Sequence, residues 1–327
     1  MKRRSPVALA TLVAVALTVS ACGGSGASSD SPDTTGTAAS GSGSGGDAAG
    51  ILAAIDTKAA TGPKKLKLDV TVDIKGSPSN AQLAMFTKQP IHLGLDGVLD
   101  AAGGSGDVNV TVTLGKTPIE AELRYGGGKS WIQIDGEWYD LPADALSSTT
   151  GQSLPTGASA SSLDTGKILA AIGDPSKLLQ NATVSSEDVE GIASDKVSGD
   201  VNMEGVANAV ASLSTSMGDS TTTAPTQAEI DKAVARLKDV VKNAHVDLWV
   251  GKSDHKVHRL AFTVDAAMDA DTKTSTGIDS LTLNLDSTTV DADAPDVSAP
   301  SSVGTPAEFQ AAVIGLLGKV MGGAAAG

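Results

Sequence analysis

The stretch LKLDVTVDI at residues 66–74 decides the fold class of this chain. Apolar side chains stand at every second position from Leu66 to Ile74, and charged or hydroxyl-bearing side chains stand between them. Successive side chains of a strand point to opposite faces of a sheet, so such a strand has one apolar and one wet face. Burial on one face is typical of antiparallel sheets, because parallel strands are usually buried on both faces.

The same alternation recurs along much of the chain. Its apolar members are Ile91, Leu93, Leu95 and Leu99; Val108, Val110, Val112 and Leu114; Ile119, Ala121, Leu123 and Tyr125; Val246, Leu248 and Val250; Leu260, Phe262 and Val264; and Leu281, Leu283 and Leu285. The pair Asp135-Gly136 is typical of a tight hairpin turn, and it separates strand-like stretches at 129–134 and 137–141. The sequence therefore predicts an α+β fold: a large curved antiparallel sheet, or half-barrel, with helices packed on its concave apolar face.

Amphipathic stretches predict the helices. Thr226 with Glu229, and Thr305 with Glu308, have the spacing of capping boxes at helix starts. The apolar stripes that follow are Ile230, Val234, Leu237 and Val241, and Phe309, Val313, Leu316 and Val320. Further helices are expected at 51–60, 163–172 and 206–213. These stripes need an apolar partner, and the apolar face of the sheet is the only surface large enough.

The N-terminus predicts export and lipid anchoring. A basic start at residues 1–4, an apolar run at 7–19 and small residues up to Cys22 describe a secretory signal. The run is too short to span a membrane, which takes about 20 apolar residues. The three residues before Cys22 resemble the bacterial lipobox, which implies a diacylglyceryl group on Cys22 and cleavage before it. The alternative is an incidental cysteine in a signal peptide.

These features divide the chain into a signal peptide at 1–21, a lipidated Cys22 with a disordered tether up to residue 50, and one domain at 51–327. The tether contains only Gly, Ser, Ala, Thr, Asp and Pro after Cys22, so it cannot build a core. Low-complexity loops are expected within the domain at 147–162 and 214–224. The expected location is the extracytoplasmic face of the cell membrane.

Composition excludes several classes of function. The formal net charge of −14 argues against nucleic acid as a partner, because no basic stripe is present to neutralise phosphates. It also argues against electrostatic attraction between the chain and anionic lipid headgroups. Aromatic residues make up 2% of the chain, which leaves few stacking platforms for sugars or bases. Cys22 is the only cysteine, so internal disulfides and thiolate metal sites are excluded.

Sequence motifs predict no catalytic residue, no metal and no cofactor. Residues 115–117 (GKT) lack the glycine that a phosphate-binding loop has five positions earlier. Residues 218–220 (GDS) lie in a Thr-rich stretch rather than after a strand, where a serine nucleophile is found. His255 and His258, with Asp254 beside them, are three apart on a strand-like stretch, so the two rings are expected to point to opposite faces.

Two hairpin sequences resemble a known family. They are WIQIDGEWY at 131–139, and VDLWV at 246–250 continuing through Asp254-His255 to RLAF at 259–262. They resemble the LppX/LprG group of actinobacterial lipoproteins, whose fold is similar to that of the lipoprotein carrier LolA. The resemblance implies a half-barrel sheet wrapped around helices, with an apolar cavity between them that holds lipid acyl chains. This chain is longer than typical members, chiefly through its two low-complexity loops.

The first functional hypothesis is therefore a monomeric, membrane-anchored lipoprotein that binds or carries a lipid, a glycolipid or another apolar ligand in the cell envelope. The candidate lining is Leu68, Val70, Leu93, Leu95, Val110, Val112 and Leu123 on the sheet, with Ile230, Val234 and Leu237 on a helix. The alternative is a non-catalytic surface lipoprotein that acts as a protein-interaction module with a solid core. An enzyme is disfavoured, because no nucleophile, base or metal cluster stands out.

Overall fold

The computed structural model describes residues 47–56, 62–80, 84, 86–100, 102–114, 117–141, 178–205 and 227–323. Their elements in chain order are α1 (Ala48–Ala53), β1 (Lys64–Gly76), β2 (Ile91–Asp100), β3 (Ser105–Leu114), β4 (Thr117–Gly126), β5 (Lys129–Ile134), β6 (Glu137–Asp140), β7 (Leu179–Val189), β8 (Ile192–Val201), α2 (Gln227–Val240), β9 (Val241–Gly251), β10 (Val257–Ala267), α3 (Ala270–Thr276), β11 (Ile278–Asp291) and α4 (Pro306–Gly323). Cys22, the tether up to residue 46, both low-complexity loops and the helices predicted at 163–172 and 206–213 lie outside these residues.

The eleven described strands belong to one sheet, in the order β6-β5-β4-β3-β2-β1-β11-β10-β9-β8-β7. Every neighbouring pair is antiparallel. The chain meanders outward from β1 to β6, then starts again at the far edge with β7 and meanders back until β11 pairs with β1. The edges β6 and β7 do not pair with each other, so the sheet is an open, curved half-barrel. The predicted α+β fold class is confirmed.

Cross-strand register gives the sheet two chemically distinct faces. In one row Leu68 stands opposite Leu95 and Ser287, and in the next row Val70 stands opposite Leu93 and Leu285. We call the face that carries these residues the apolar face. The alternate positions carry the charged and hydroxyl-bearing side chains and form the polar face.

The apolar face holds the buried core. Ala244, Val264 and Leu283 form one buried cluster, and Phe262 is among the half-buried residues packed against it. A second cluster of Ala266, Met268 and Ile278 receives Val240 from the end of α2. Helix α2 therefore packs on the apolar face, as predicted. It starts at Gln227, directly after the predicted cap Thr226, but it ends at Val240, so Val241, predicted as the last residue of its stripe, begins β9 instead.

The first helix differs from the prediction of residues 51–60. It begins at Ala48, within the stretch assigned to the tether, and ends at Ala53. It has no wide amphipathic stripe; instead its one buried side chain is Leu52, which is 2% exposed, and the helix contacts β7 and β8. A single anchoring residue holds this short helix, so periodicity could not locate its ends.

The hairpin and capping predictions are confirmed where the structure describes them. Asp135 and Gly136 have φ angles of 50° and 87°, as a two-residue hairpin turn requires. At the start of α4, the Thr305 N–H donates to Glu308 Oε2 at 2.7 Å, and the Glu308 N–H donates to Thr305 Oγ1 at 3.3 Å. This reciprocal pair is the capping box expected from the sequence.

A connecting segment at 292–305 carries the chain from β11 to the β6 edge. Its first N–H, from Ala292, donates to the Pro63 carbonyl, and near its end the Gly304 N–H donates to the Trp138 carbonyl at 2.7 Å. Gly304 also forms a parallel bridge with Tyr139. Helix α4 thus starts at the outer edge of the sheet, where Phe309 packs on Tyr139 with ring centroids 5.8 Å apart. Among the described helices, none is long and apolar enough to be a membrane span.

Candidate functional site

The seven sheet candidates lie together on the apolar face. Leu68, Leu95 and Val110 are neighbours in one cross-strand row, and Val70, Leu93 and Val112 are neighbours in the next. Leu123 stands opposite Val108 in the adjoining row. The register therefore places these residues in one contiguous patch that spans β1 to β4, as the alternation predicts. Whether the patch binds a ligand stays a prediction.

Burial along the apolar face is uneven. Val197, Val264, Leu283 and Leu285 on β8, β10 and β11 are at most 5% exposed, and Leu68 on β1 is 3% exposed. On β2 to β4 the apolar side chains of this face are half-buried, except Val108. Leu248 and Leu260, on β9 and β10, are also half-buried. The face is thus tightly covered in places and incompletely covered over β2 to β4.

The three helix candidates belong to α2. Val234 is buried, Leu237 is half-buried, and the side chain of Ile230 lies outside the described residues. The main contacts of α2 are with β9 and β10. Among the described residues, the helix candidates therefore lie over β9 and β10, on one side of the central β1–β11 pair, whereas the sheet candidates lie on β1 to β4, on the other side. The structure does not bring the described members of the two sets together into one lining.

An open cleft of about 730 Å³ lies between β3 to β5 and Leu316 of α4. Its volume is in the range of small-molecule sites. Val110 is the one candidate residue among the described lining, where Ile119 and Ala121 accompany it. The cleft is also lined by Asn109, Thr111, Glu120, Glu122 and Gln133, which the register assigns to the polar face. It therefore opens around the β4–β5 side of the sheet rather than between the apolar face and α2.

The polar face carries a buried tryptophan that sequence reasoning did not single out as structural. Trp249 on β9 is 3% exposed, although it points away from the apolar core. Lys196 Nζ and Arg259 Cζ lie 4.7 and 4.5 Å from ring centroids of Trp249, and its Nε1–H donates to Glu187 at 3.0 Å. The ring is therefore covered by charged side chains from the flanking strands. It is not free to stack on a ligand.

Ser198, His245 and Asp200 form a chain of contacts that resembles a nucleophile–base–acid relay. Ser198 Oγ lies 3.0 Å from His245 Nε2, and His245 Nδ1 lies 3.1 Å from Asp200 Oδ1. The hydrogen bonds from His245 and Asn181 lower the pKa of Asp200. Because these residues come from β8 and β9, far apart in sequence, no local motif could have revealed the cluster.

A fourth residue removes the catalytic interpretation. Asp247 Oδ1 lies 3.4 Å from His245 Nε2. Burial raises the pKa of Asp247, but hydrogen bonds from Ser198 and Lys196 outweigh that effect, so the pKa lies below its usual value. A carboxylate beside Ser198 opposes negative charge on the serine oxygen, the reverse of what an acyl-transfer site needs. The cluster instead joins β8 to β9.

The two neighbouring histidines have different surroundings. His258 lies at an irregularity in the β9–β10 pairing and is 4% exposed, with Nε2 3.1 Å from Asp254 Oδ2. His255 is exposed in the preceding turn, with φ of 55°. Burial raises the pKa of Asp254, but hydrogen bonds from the Lys256 backbone and from His258 lower it further than burial raises it. The pairing of His258 with Asp254 was missed because the turn geometry was needed to bring them together.

The solved structures to which the chain is similar include two from mycobacteria. One is LprF from Mycobacterium bovis, with 16% identity, covering 80% of this chain and 100% of that chain, at a TM-score of 0.37. The other is the lipoprotein LppX from Mycobacterium tuberculosis, with 12% identity, covering 77% of this chain and 98% of that chain, at a TM-score of 0.32. No protein-family model and no curated protein sequence matches the chain. At these identities and TM-scores the likeness carries no conclusion about the ligand or activity of this chain.

Proposed function

We propose that this chain is a membrane-anchored lipoprotein that binds or carries a lipid or another apolar ligand in the cell envelope. The observation that carries the proposal is the half-buried apolar patch on β2 to β4, described above. Contiguous apolar surface that the described residues leave partly uncovered is characteristic of binding sites. A hydrocarbon chain laid along the patch would complete its burial.

The chemistry of the patch favours a hydrocarbon over a polar ligand. From β8 to β4, the two central cross-strand rows contain one polar side chain, Ser287, and no charged side chain. Burial of each ligand methylene contributes about 0.8 kcal/mol, so an acyl chain gains affinity from length alone. No charged group stands in these rows to select a headgroup, and specificity for one lipid would have to arise elsewhere.

The predicted anchor at Cys22 is part of the proposal. It rests on the signal-like residues 1–21 and on the small residues before Cys22. Mass spectrometry of the intact wild-type chain should find acyl mass on Cys22, and Cys22→Ser should remove it. A wild-type chain whose Cys22 carries a free thiol would show that the anchor is not there.

Lipid extraction tests the carrier directly. Mature-length chain with Cys22→Ser is purified without detergent, extracted with organic solvent and analysed by mass spectrometry. Val112→Asp places a charge on the apolar face between Leu93 and Ile119, and we expect it to lower bound lipid at least tenfold, because a buried unpaired charge is costly. The matched control is Thr113→Asp, the next residue of β3, which faces His92 on the polar face. It should retain the lipid.

The solid-core interaction module predicts a different result. The burial of Val197, Val264, Leu283 and Leu285 supports a closed core over part of the sheet. If the whole face were closed, wild-type extracts would be free of lipid, and Val112→Asp would lower stability without changing the extract. Circular dichroism and thermal unfolding of both variants separate loss of ligand from loss of fold.

A further inference from the structure

Helix α4 exposes apolar surface on the side away from the sheet. Ile314 is 69% exposed, the most exposed large apolar side chain among the described residues. Phe309 and Leu316 on the same helix are half-buried toward Tyr139 and the cleft. An added Cβ at Gly315 or Gly318 would meet no atom of the described residues within 4 Å.

The same helix is free of charge over ten successive positions in an otherwise acidic chain. Residues 309–318 (FQAAVIGLLG) contain no Asp, Glu, Lys or Arg, whereas the whole chain has a formal net charge of −14. The exposed positions within this run are Gln310, Ala311, Ile314, Gly315 and Gly318, so the described outer side of α4 is uncharged and Ile314 is its one large apolar side chain. A large apolar side chain in this position gains free energy when it leaves water.

We propose that α4 docks onto the bilayer surface, with Ile314 entering the region between headgroups and acyl chains, at the moment of lipid exchange. This deepens the proposed carrier function and rests on it. The contact is apolar rather than electrostatic, because the uncharged run gives anionic headgroups nothing to attract.

The position of α4 in the fold fits a membrane better than a protein partner. Strands β6 and β7 are the two edges of the open sheet; α4 is tied to β6, and α1 contacts β7. The residues between Cys22 and α1 would span about 27 Å root-mean-square if flexible. A chain anchored at Cys22 is therefore held close to a bilayer, and a tether of that span leaves the body free to turn α4 toward it.

The test uses mature-length chain with Cys22→Ser, so that no acyl anchor contributes, and flotation with vesicles of phosphatidylcholine alone. Ile314→Asp should lower vesicle binding at least tenfold, the factor that corresponds to burial of one side chain of this size. Val303→Asp is the matched control, because Val303 is the other exposed large apolar residue among those described, at 37%, and precedes α4. It should bind as the parent does. Phosphatidylglycerol added to the vesicles should not strengthen binding.

A second measurement reports the position of the helix directly. The parent Cys22→Ser chain has no cysteine, so Ile314→Cys and Val303→Cys each carry a single nitroxide label. With vesicles, the label at 314 should become accessible to oxygen and protected from a water-soluble relaxing agent, while the label at 303 should stay in water. Parent chain that does not float, equal binding of Ile314→Asp, or a label at 314 that stays in water would each overturn the docking.

Lipid content and lipid transfer distinguish failure of membrane docking by α4 from failure of the proposed carrier function. Ile314→Asp should still contain lipid after purification, since Ile314 is outside the apolar patch, but should transfer it to acceptor vesicles at least tenfold more slowly than the parent chain. Absence of extractable lipid from the parent chain and from every variant, with flotation intact, would refute the carrier and the role of α4 in exchange, but not the contact of α4 with the bilayer. Normal transfer by Ile314→Asp would refute the role of α4 in exchange and leave the carrier standing.

Discussion

A Val→Phe substitution at two matched positions tests whether the apolar face is hollow over β3. Val110 stands between Leu95 and Ala121, and Val264 stands between Leu283 and Ala244, so each valine has one leucine and one alanine across the strands. They differ in burial: Val264 is 3% exposed, whereas Val110 is half-buried and borders the cleft of about 730 Å³.

The two substitutions should therefore have unequal costs. At Val264 the phenyl ring of the introduced Phe has no space, and overpacking a closed core lowers the free energy of unfolding by about 2 kcal/mol. That cost lowers the melting temperature of a domain of this size by roughly 4–8 °C. At Val110 the cleft exceeds the added volume of the ring, and the apolar burial that the ring gains offsets its lost rotamer freedom. We expect the free energy of unfolding to stay within about 0.5 kcal/mol of wild type there.

Urea unfolding followed by circular dichroism measures both values, and lipid content provides a second readout. In a hollow, Val110→Phe fills space that an acyl chain would occupy and should lower bound lipid while leaving stability unchanged. Equal destabilisation by Val110→Phe and Val264→Phe would show that the face is closed at β3, and the reasoning from half-burial to a binding surface would fail with it.

Two further predictions concern the sheet and its turns. Gly97→Ala should lower the free energy of unfolding by about 2 kcal/mol or more, because its Cβ would lie 2.6 Å from Val108 Cα on the neighbouring strand. The control is Gly94→Ala on the same strand, whose Cβ would lie 3.7 Å from Thr111 Cβ; it should change the free energy of unfolding by less than about 0.5 kcal/mol. Equal values for the two variants in urea unfolding would contradict this. The lowered pKa of Asp254 means that its contribution to stability is present above the unfolded pKa of about 3.9 and is lost as pH falls through the folded pKa. Asp254→Asn should therefore be less stable than wild type by roughly 1 kcal/mol near neutral pH, and the difference should shrink as pH is lowered through the folded pKa. A stability difference that does not change with pH would contradict the assignment.

Several elements escaped sequence reasoning for identifiable physical reasons. Strand β7 has mostly exposed side chains, so its sequence lacks the apolar alternation that reveals half-buried strands. Helix α3 is short and has no buried side chain; what defines it is an N-cap from Asp269, which accepts from the Thr272 N–H, and a left-handed Gly277 at its end. Such helices depend on caps rather than on an apolar stripe, and a periodicity argument passes over them.

The sequence pattern predicted which residues of the apolar patch are neighbours, but not how deeply each one is buried. Alternation placed Leu68, Val70, Leu93 and Val112 on one face, because the period of a strand is two whatever its partners are, and the register confirms that they are neighbours. It could not tell that Leu68 is buried while Leu93 is half-buried, because that difference depends on what covers each part of the sheet.

By itself, the sequence determined which side chains share a face, where the tight turn at 135–136 lies and how α4 is capped, since each depends on interactions between residues a few positions apart. Only the tertiary structure decided the strand order, which places β11 beside β1, and the clusters around Trp249 and His245. It also decided how unevenly the apolar face is covered. Those features arise from contacts between residues distant in the chain, and no local pattern records them.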